Sequence, residues 1–293
     1  MSHKAGFVNI IGRPNAGKST LMNKLVGEKL SIINPKVQTT RHRIVGIVNS
    51  EAYQIVYSDT PGIIKPNYAL QKSMMSFVKE ALTDADIILL VIDVNDNSLD
   101  YHGVNEMLES IHAPIIGVLT KIDLTDQDRL VKRMEAIREA FPVEEIIPTS
   151  ALHDFGVNVL QKRIVELLPE SPPYYEKDAL TDRPMRFFVE EMIRERILAH
   201  YEKEVPYSVE VKVEEYKDEE KLVRIAAVIY VMRKSQKGIL IGQAGTKLKS
   251  LGTDSRKRME EFLGKKVFLQ LYVKVDENWR NKEQKLKGFG YRS

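Results

Sequence analysis

Cysteine is absent from the 293 residues, which excludes disulfides and thiolate metal sites. Long hydrophobic runs are missing too. The wholly apolar stretch 87–92, like every other in the chain, is far below the roughly 20 residues that a membrane-spanning helix needs. Met1, Ser2, His3 and Lys4 lead straight into an apolar strand pattern, without a secretory leader. Tryptophan occurs once, as Trp279. These absences read as a soluble intracellular protein, long enough for two cored domains.

Net charge is also small, 44 Lys+Arg against 41 Asp+Glu, but it is unevenly spread. Residues 1–175 carry 18 basic and 21 acidic side chains, a formal −3, whereas residues 176–293 carry 26 and 20, a formal +6. Within that half, residues 232–293 hold 16 and 6, a formal +10. Such an end suits either a polyanionic partner or a solvated lysine-rich surface.

What is present begins at 6–23, GFVNIIGRPNAGKSTLMN. Gly12, Gly17, Lys18 and Ser19 match G-x-x-x-x-G-K-[ST] between an apolar strand-like run and a helical segment closed by Gly27. Glycines let backbone N–H groups close around a polyphosphate, and the helix N-terminus adds partial positive charge. In such a loop Lys18 reaches the β and γ phosphates and Ser19 ligates Mg²⁺. A chain of this length matches by chance about 1% of the time, so Gly12, Asn15, Ala16, Gly17, Lys18, Ser19 and Thr20 form a candidate nucleotide-binding loop.

The polar stretch 31–43 follows without a clear period. Either of its threonines, Thr39 or Thr40, could complete the Mg²⁺ shell. Strand-like runs at 44–48 and 53–57 lead to Asp59-Thr60-Pro61-Gly62, adding Asp59, as a carboxylate behind Mg²⁺, and Gly62. Helical patterns at 68–82, 103–111, 127–140 and 157–168 alternate with strand patterns at 87–94, 115–119 and 145–149. This predicts a doubly wound α/β sheet. Its polar motifs follow strand C-terminal ends, where such sheets bind ligands.

Two of those motifs select the base. Asp123, in Thr120-Lys121-Ile122-Asp123, can accept from guanine N1–H and N2–H₂ together; adenine offers no such pair. Lys121 can lay its stem against the base plane. Ser150 and Ala151, with Leu152 beside them, are placed for a backbone N–H to guanine O6. GTP and GDP are the expected ligands, and Asn15, Lys18, Thr40 and Gly62 are expected to carry the chemistry.

Proline-rich 169–173 stops this pattern, dividing the chain into a nucleotide domain at 1–170, a linker at 171–184 and a second domain at 185–293. The second opens with an amphipathic helix at 185–203 and strands at 208–216 and 222–232. Gly242-Gln243-Ala244-Gly245 follows, then a helix at 253–263 and a strand at 266–275. Alone, G-x-x-G is weak, with about 1.4 chance matches per chain. In the order α-β-β-α-α-β, beside Lys237, Lys247 and Lys249, it resembles a prokaryotic-type (type II) KH domain, an α+β RNA-binding fold whose G-x-x-G loop clamps the nucleic-acid backbone. That resemblance implies RNA contacts from Lys237, Gly242, Gln243, Ala244, Gly245, Lys247, Lys249 and Arg256. A helix-turn-helix of purely structural use is the competing reading.

Together the halves resemble the Era family of bacterial ribosome-assembly GTPases, over about 5–291. The carriers, besides the nucleotide motifs, are the run Gln38 to Gly46, Val205-Pro206-Tyr207-Ser208-Val209, Gly242 to Gly245 with the basic helix after it, and the tail around Trp279 and Gly288-Phe289-Gly290-Tyr291. The resemblance implies Mg²⁺-dependent GTP hydrolysis, binding near the 3′ end of small-subunit (16S) ribosomal RNA, a role in 30S maturation and, in some members, peripheral association with the inner face of the cell membrane. A monomeric cytoplasmic protein is expected.

Three positions bear on chemistry. The family usually has Asn where this chain has Thr120; losing one hydrogen bond predicts nucleotide binding weaker by about 1 kcal/mol. Guanine selectivity should survive, and unchanged discrimination against ATP after Asp123→Asn would refute the role of Asp123. Ile63 stands where Ras-like enzymes orient water with glutamine, and no arginine is placed as a finger, although Arg41 and Arg43 lie in the polar segment. Asn15 resembles the residue that holds K⁺ in some related GTPases. Slow hydrolysis is expected, stimulated by K⁺ over Na⁺, with the difference lost in Asn15→Ala; a turn-stabilising amide is the alternative. Trp279 suits either packing or base stacking. Two other readings are an RNA switch needing little turnover and a membrane GTPase using the basic tail of Lys282, Lys285, Lys287 and Arg292.

Overall fold

The computed structural model describes residues 2–291; Arg292 lies outside them. The first apolar run forms β1 (Lys4–Gly12), and the glycine-rich turn after it opens into α1 (Lys18–Val26). That helix stops at Gly27, whose φ of 83° suits a residue without Cβ. Next come β2 (Ile44–Asn49), β3 (Tyr53–Asp59), α2 (Ala69–Thr83), β4 (Ile87–Asp93) and α3 (Val104–Glu109). β5 (Ile115–Thr120), α4 (Gln127–Ala140), β6 (Glu145–Pro148) and α5 (Val157–Leu167) complete the alternation.

The six strands form one sheet in the order β2-β3-β1-β4-β5-β6. All pairs are parallel except β2–β3. The three residues between those two strands allow a hairpin but no crossover. Every residue from Ile87 to Ile92 is buried, because both faces of β4 are covered. On one face Ile88, Leu90 and Ile92 meet Val78 and Leu82 of α2, Val104 and Leu108 of α3 and Ile137 of α4. The doubly wound expectation holds, and the phosphate-loop pattern sits at the C-terminal end of a central strand.

The expected linker behaves differently. Much of 171–182 lies along β2 and β3: Ile47 N donates to Leu180 O at 2.8 Å, Thr181 Oγ1 to Val45 O at 2.7 Å, and the Tyr174 and Tyr175 amides to Gln54 Oε1. β2 is an edge strand, and the backbone groups of Ile47 and Val45 take the first two of these partners. The first compact unit accordingly runs to Asp182, apart from Tyr68–Leu70, which group with the second unit from Arg183 onward.

That second unit contains α6 (Met185–His200), β7 (Glu210–Asp218), β8 (Leu222–Val231), α7 (Lys234–Ile241), α8 (Thr246–Leu263), β9 (Lys266–Val275) and α9 (Glu283–Gly288). The sheet order is β7-β8-β9, with β7–β8 antiparallel and β8–β9 parallel. This is the α-β-β-α-α-β order expected, with three corrections. Helix α8 begins at Thr246, not 253, because Gly245 in the left-handed region (φ 77°) starts it directly from the loop. Strand β7 begins two residues late, since Val205–Tyr207 form a 3₁₀ turn, and α6 ends at His200, short of 203.

Trp279 packs. It is fully buried, its Nε1 donates to Ser208 O at 3.1 Å, and its ring meets Phe289 edge-on at 5.6 Å.

Candidate functional site

The turn after β1 is shaped by close approaches. A Cβ on Gly12 would lie 2.2 Å from Val91 O, and one on Gly62 2.7 Å from Pro14 Cα, so neither position admits a side chain without movement. The cleft beside this turn measures about 440 Å³ and is lined by Asn15, Gly17, Lys18, Ser19, Thr20, Thr40, Gly62 and Lys121, with 32–35 on its far wall. Gly12 and Ala16 lie beneath it as backbone: Gly12 O accepts from Ile63 N at 3.0 Å, and Ala16 O from Thr120 Oγ1 at 2.6 Å.

Lys18 is buried, and its Nζ donates to Arg13 O at 2.8 Å. Burial lowers its pKa to about 8, against the opposing pull of Asp59. Three hard oxygen donors meet next to it. Ser19 Oγ donates to Asp59 Oδ2 at 2.6 Å, and Thr40 Oγ1 lies 2.9 Å from Ser19 Oγ and 3.3 Å from the same carboxylate oxygen. Among the described residues Asp59 Oδ1 is buried without a hydrogen-bond partner. Burial raises the pKa of this carboxyl, opposed by Lys18 and by the hydroxyls of Ser19, Ser31 and Thr40. Hydroxyls beside a buried, half-satisfied carboxylate fit Mg²⁺, which prefers oxygen ligands. The structure also chooses between the two threonines: Thr39 turns its hydroxyl back to Lys36 O, and Thr40 faces Ser19.

At the base end, Ser150 Oγ donates to Asp123 Oδ1 at 2.6 Å; this bond holds the carboxyl below its usual pKa, so Asp123 is ionised at neutral pH. Leu152 is exposed beside it. Lys121 bridges this end to the phosphate loop, donating to Asn15 O at 2.8 Å and pairing with Asp93 at 2.7 Å. Asn15, at φ 62°, donates from Nδ2 to Pro35 O.

Neither arginine of the polar segment is loose. Arg41 is buried, and Arg43 is tied to Ser58, Asp84 and Asn9. Ile63 is buried in the core. Two anchors escaped the sequence reading. Asp93 fixes Lys121, and Arg13 is gripped by Asp96 at 2.9 Å, Ser98 at 2.8 Å and Asp100 O at 2.9 Å. The first arises because Asp93 pairs with Thr120 across β4 and β5, next to Lys121. Nothing in the spacing signalled the second.

In the second unit, Gly242 adopts φ 70° and ψ 178°, a conformation essentially confined to glycine, and Lys247 folds over it. A groove of about 400 Å³ between α8 and β9 brings together Gly245, Lys249, Arg256, Leu269 and Leu271. Arg256 also pairs with Glu260 at 3.0 Å. Gln243 and Ala244 are exposed in the loop, whereas Lys237 sits on α7 and does not line the groove.

Two family models match: a 50S ribosome-binding GTPase over 7–121 and a KH domain over 204–280. The chain is 42% identical to GTPase Era of Alkaliphilus metalliredigens, over 99% of this chain and 100% of that protein. It is 45% identical to GTPase Era of a Geobacter species, over 98% of each. The chain belongs to the Era GTPase family. A crystal structure of Era in complex with MgGDPNP and nucleotides 1506-1542 of 16S ribosomal RNA superposes with a TM-score of 0.94 at 36% identity, covering 99% of this chain and 100% of that one. An Era variant from Aquifex aeolicus bound to GDP and AlF₄⁻ gives 0.92 at 37%, with the same coverage.

Within the Era frame Thr120 gains a definite place. Its buried hydroxyl lies 2.6 Å from Ala16 O and 3.1 Å from Ile92 O. One hydroxyl proton serves one carbonyl at a time, so Thr120 ties the phosphate loop down but has no second donor.

Proposed function

We propose that this chain is a GTP-hydrolysing switch whose second unit binds single-stranded RNA near the 3′ end of small-subunit ribosomal RNA, in the service of 30S maturation. The observation that carries this reading is the likeness, through both units, to an Era that holds a GTP analogue and 16S nucleotides in one crystal. The site chemistry supports it. Asp123 is ionised and aimed by Ser150, as guanine recognition requires, and Lys18 with the loop amides suits the β and γ phosphates. Ser19 and Thr40, with Asp59 behind them, would hold Mg²⁺, which neutralises charge developing on the phosphates. K⁺ beside Asn15 belongs to the same proposal, and slow turnover follows from Ile63, which cannot orient water. Gly242–Gly245 with Lys247 and Lys249 would clamp the RNA backbone. The basic tail is partly engaged: Lys282 and Lys285 both pair with Asp276.

The test is binding of a 16S 3′-end oligonucleotide and a scrambled one, each with GTP analogue, GDP or no nucleotide. Sequence-selective binding whose affinity changes with the nucleotide is expected. Weak binding, equal for both oligonucleotides and in all three states, would sink the switch.

A further inference from the structure

β9 has two faces, and the groove uses one. Leu269 and Leu271 line the groove, and Val267 and Val273 are buried. The alternate positions Lys266, Phe268, Gln270, Tyr272 and Lys274 are all exposed on the opposite face, where Phe268 keeps 47% and Tyr272 54% of its surface open. A half-buried strand ordinarily turns polar side chains outward. Here two of the five outward positions are rings, bracketed by lysines, on a strand with no carboxylate. Arg224 stands opposite Phe268 in the sheet register, its guanidinium 5.9 Å from the ring centroid. Among the described residues β9 is an edge strand, paired only with β8, so groove and outer face meet along its free edge.

We propose that the outer face of β9 is a second single-stranded RNA surface, continuous with the groove around that edge. Phe268 and Tyr272 stack bases there, and Lys266 and Lys274 supply charge to the phosphates; Arg224 is held by Glu219 at 3.1 Å. Base–aromatic stacking beside cations is how sequence-tolerant single-strand binders hold their ligand. The rings stand four strand residues apart, about 13 Å. Duplex bases follow one another at about 3.4 Å, so this spacing suits bases splayed from an extended strand.

The proposal rests on the RNA reading above, and the experiment separates the two. Full-length protein with GTP analogue is titrated with a fluorescent 16S 3′-end oligonucleotide just long enough to saturate the groove, and with the same oligonucleotide extended by several uridines. Wild type should bind the longer one more tightly, by about tenfold for each ring engaged. Phe268→Ala with Tyr272→Ala should erase that gain and leave the short oligonucleotide unaffected, whereas Phe268→Trp with Tyr272→Trp should keep it. Equal affinity of wild type for both lengths, or a gain that survives the double alanine variant, overturns this surface alone. No binding of either length overturns the RNA reading and this surface with it.

Discussion

At the scale of the residue, Lys18 shows how burial becomes a pH dependence. Its ammonium titrates at about 8 in the folded protein against an ordinary 10.5, because desolvation outweighs the attraction of Asp59. Between those values the unfolded chain binds more protons than the folded one, so the nucleotide-free protein gains stability from this group as pH rises through that window. A polyphosphate needs the charged form. Nucleotide binding above pH 8 must therefore take a proton back, and affinity for GDP should fall by up to tenfold per pH unit from about 8 upward. Titration of a fluorescent GDP analogue from pH 7 to about 9.5 checks this; a flat profile would mean that Lys18 stays protonated throughout. The same scale shows where spacing alone ran short. The phosphate-loop pattern and Asp123 were legible because each motif is contiguous in sequence. Spacing alone allowed either threonine a place by Mg²⁺; Thr40, the one expected to act, is the one whose hydroxyl the backbone turns toward Ser19.

At the scale of the element, the C-terminal tail is part of the second core. Trp279, Leu286 and Tyr291 are buried, and Tyr291 Oη donates to Glu210 Oε2 at 2.7 Å. Truncating a fully buried tryptophan removes its packing and leaves the Ser208 carbonyl without its indole donor. Trp279→Ala should destabilise the second unit by about 3–5 kcal/mol, read as an earlier denaturant midpoint for that unit, with GDP affinity unchanged. A loss below about 0.5 kcal/mol would show that the tail is not load-carrying. Sequence left packing and stacking both open here, since an indole among basic residues suits either. The same limit moved the start of α8: a basic run with few apolar positions shows little period, and only the left-handed backbone at Gly245 reveals that the helix starts there.

At the scale of the molecule, the uneven charge predicts unequal salt responses. RNA binding by a unit carrying the +10 segment should weaken steeply with salt, with a log–log slope of about −0.7 for each phosphate neutralised. Replacing Lys247 and Lys249 with Gln should make that slope shallower by about 1.4. GDP binding, enclosed in its cleft, should change far less. Filter binding between 50 and 300 mM KCl, values of the order at which such slopes are measured, decides it; a slope untouched by the two substitutions would place the phosphate contacts elsewhere.

Sequence by itself determined the alternation of strands and helices, the phosphate loop, the Thr120–Asp123 motif and the α-β-β-α-α-β order of the second unit. Each is written in local periodicity or in a contiguous motif. Tertiary structure alone decided the rest: the segment at 171–182 docked on the sheet edge, Arg13 and Lys121 anchored by Asp96 and Asp93, the burial of Trp279 and the two faces of β9. Those depend on residues distant in the chain meeting across a sheet, and no local pattern encodes which of them will touch.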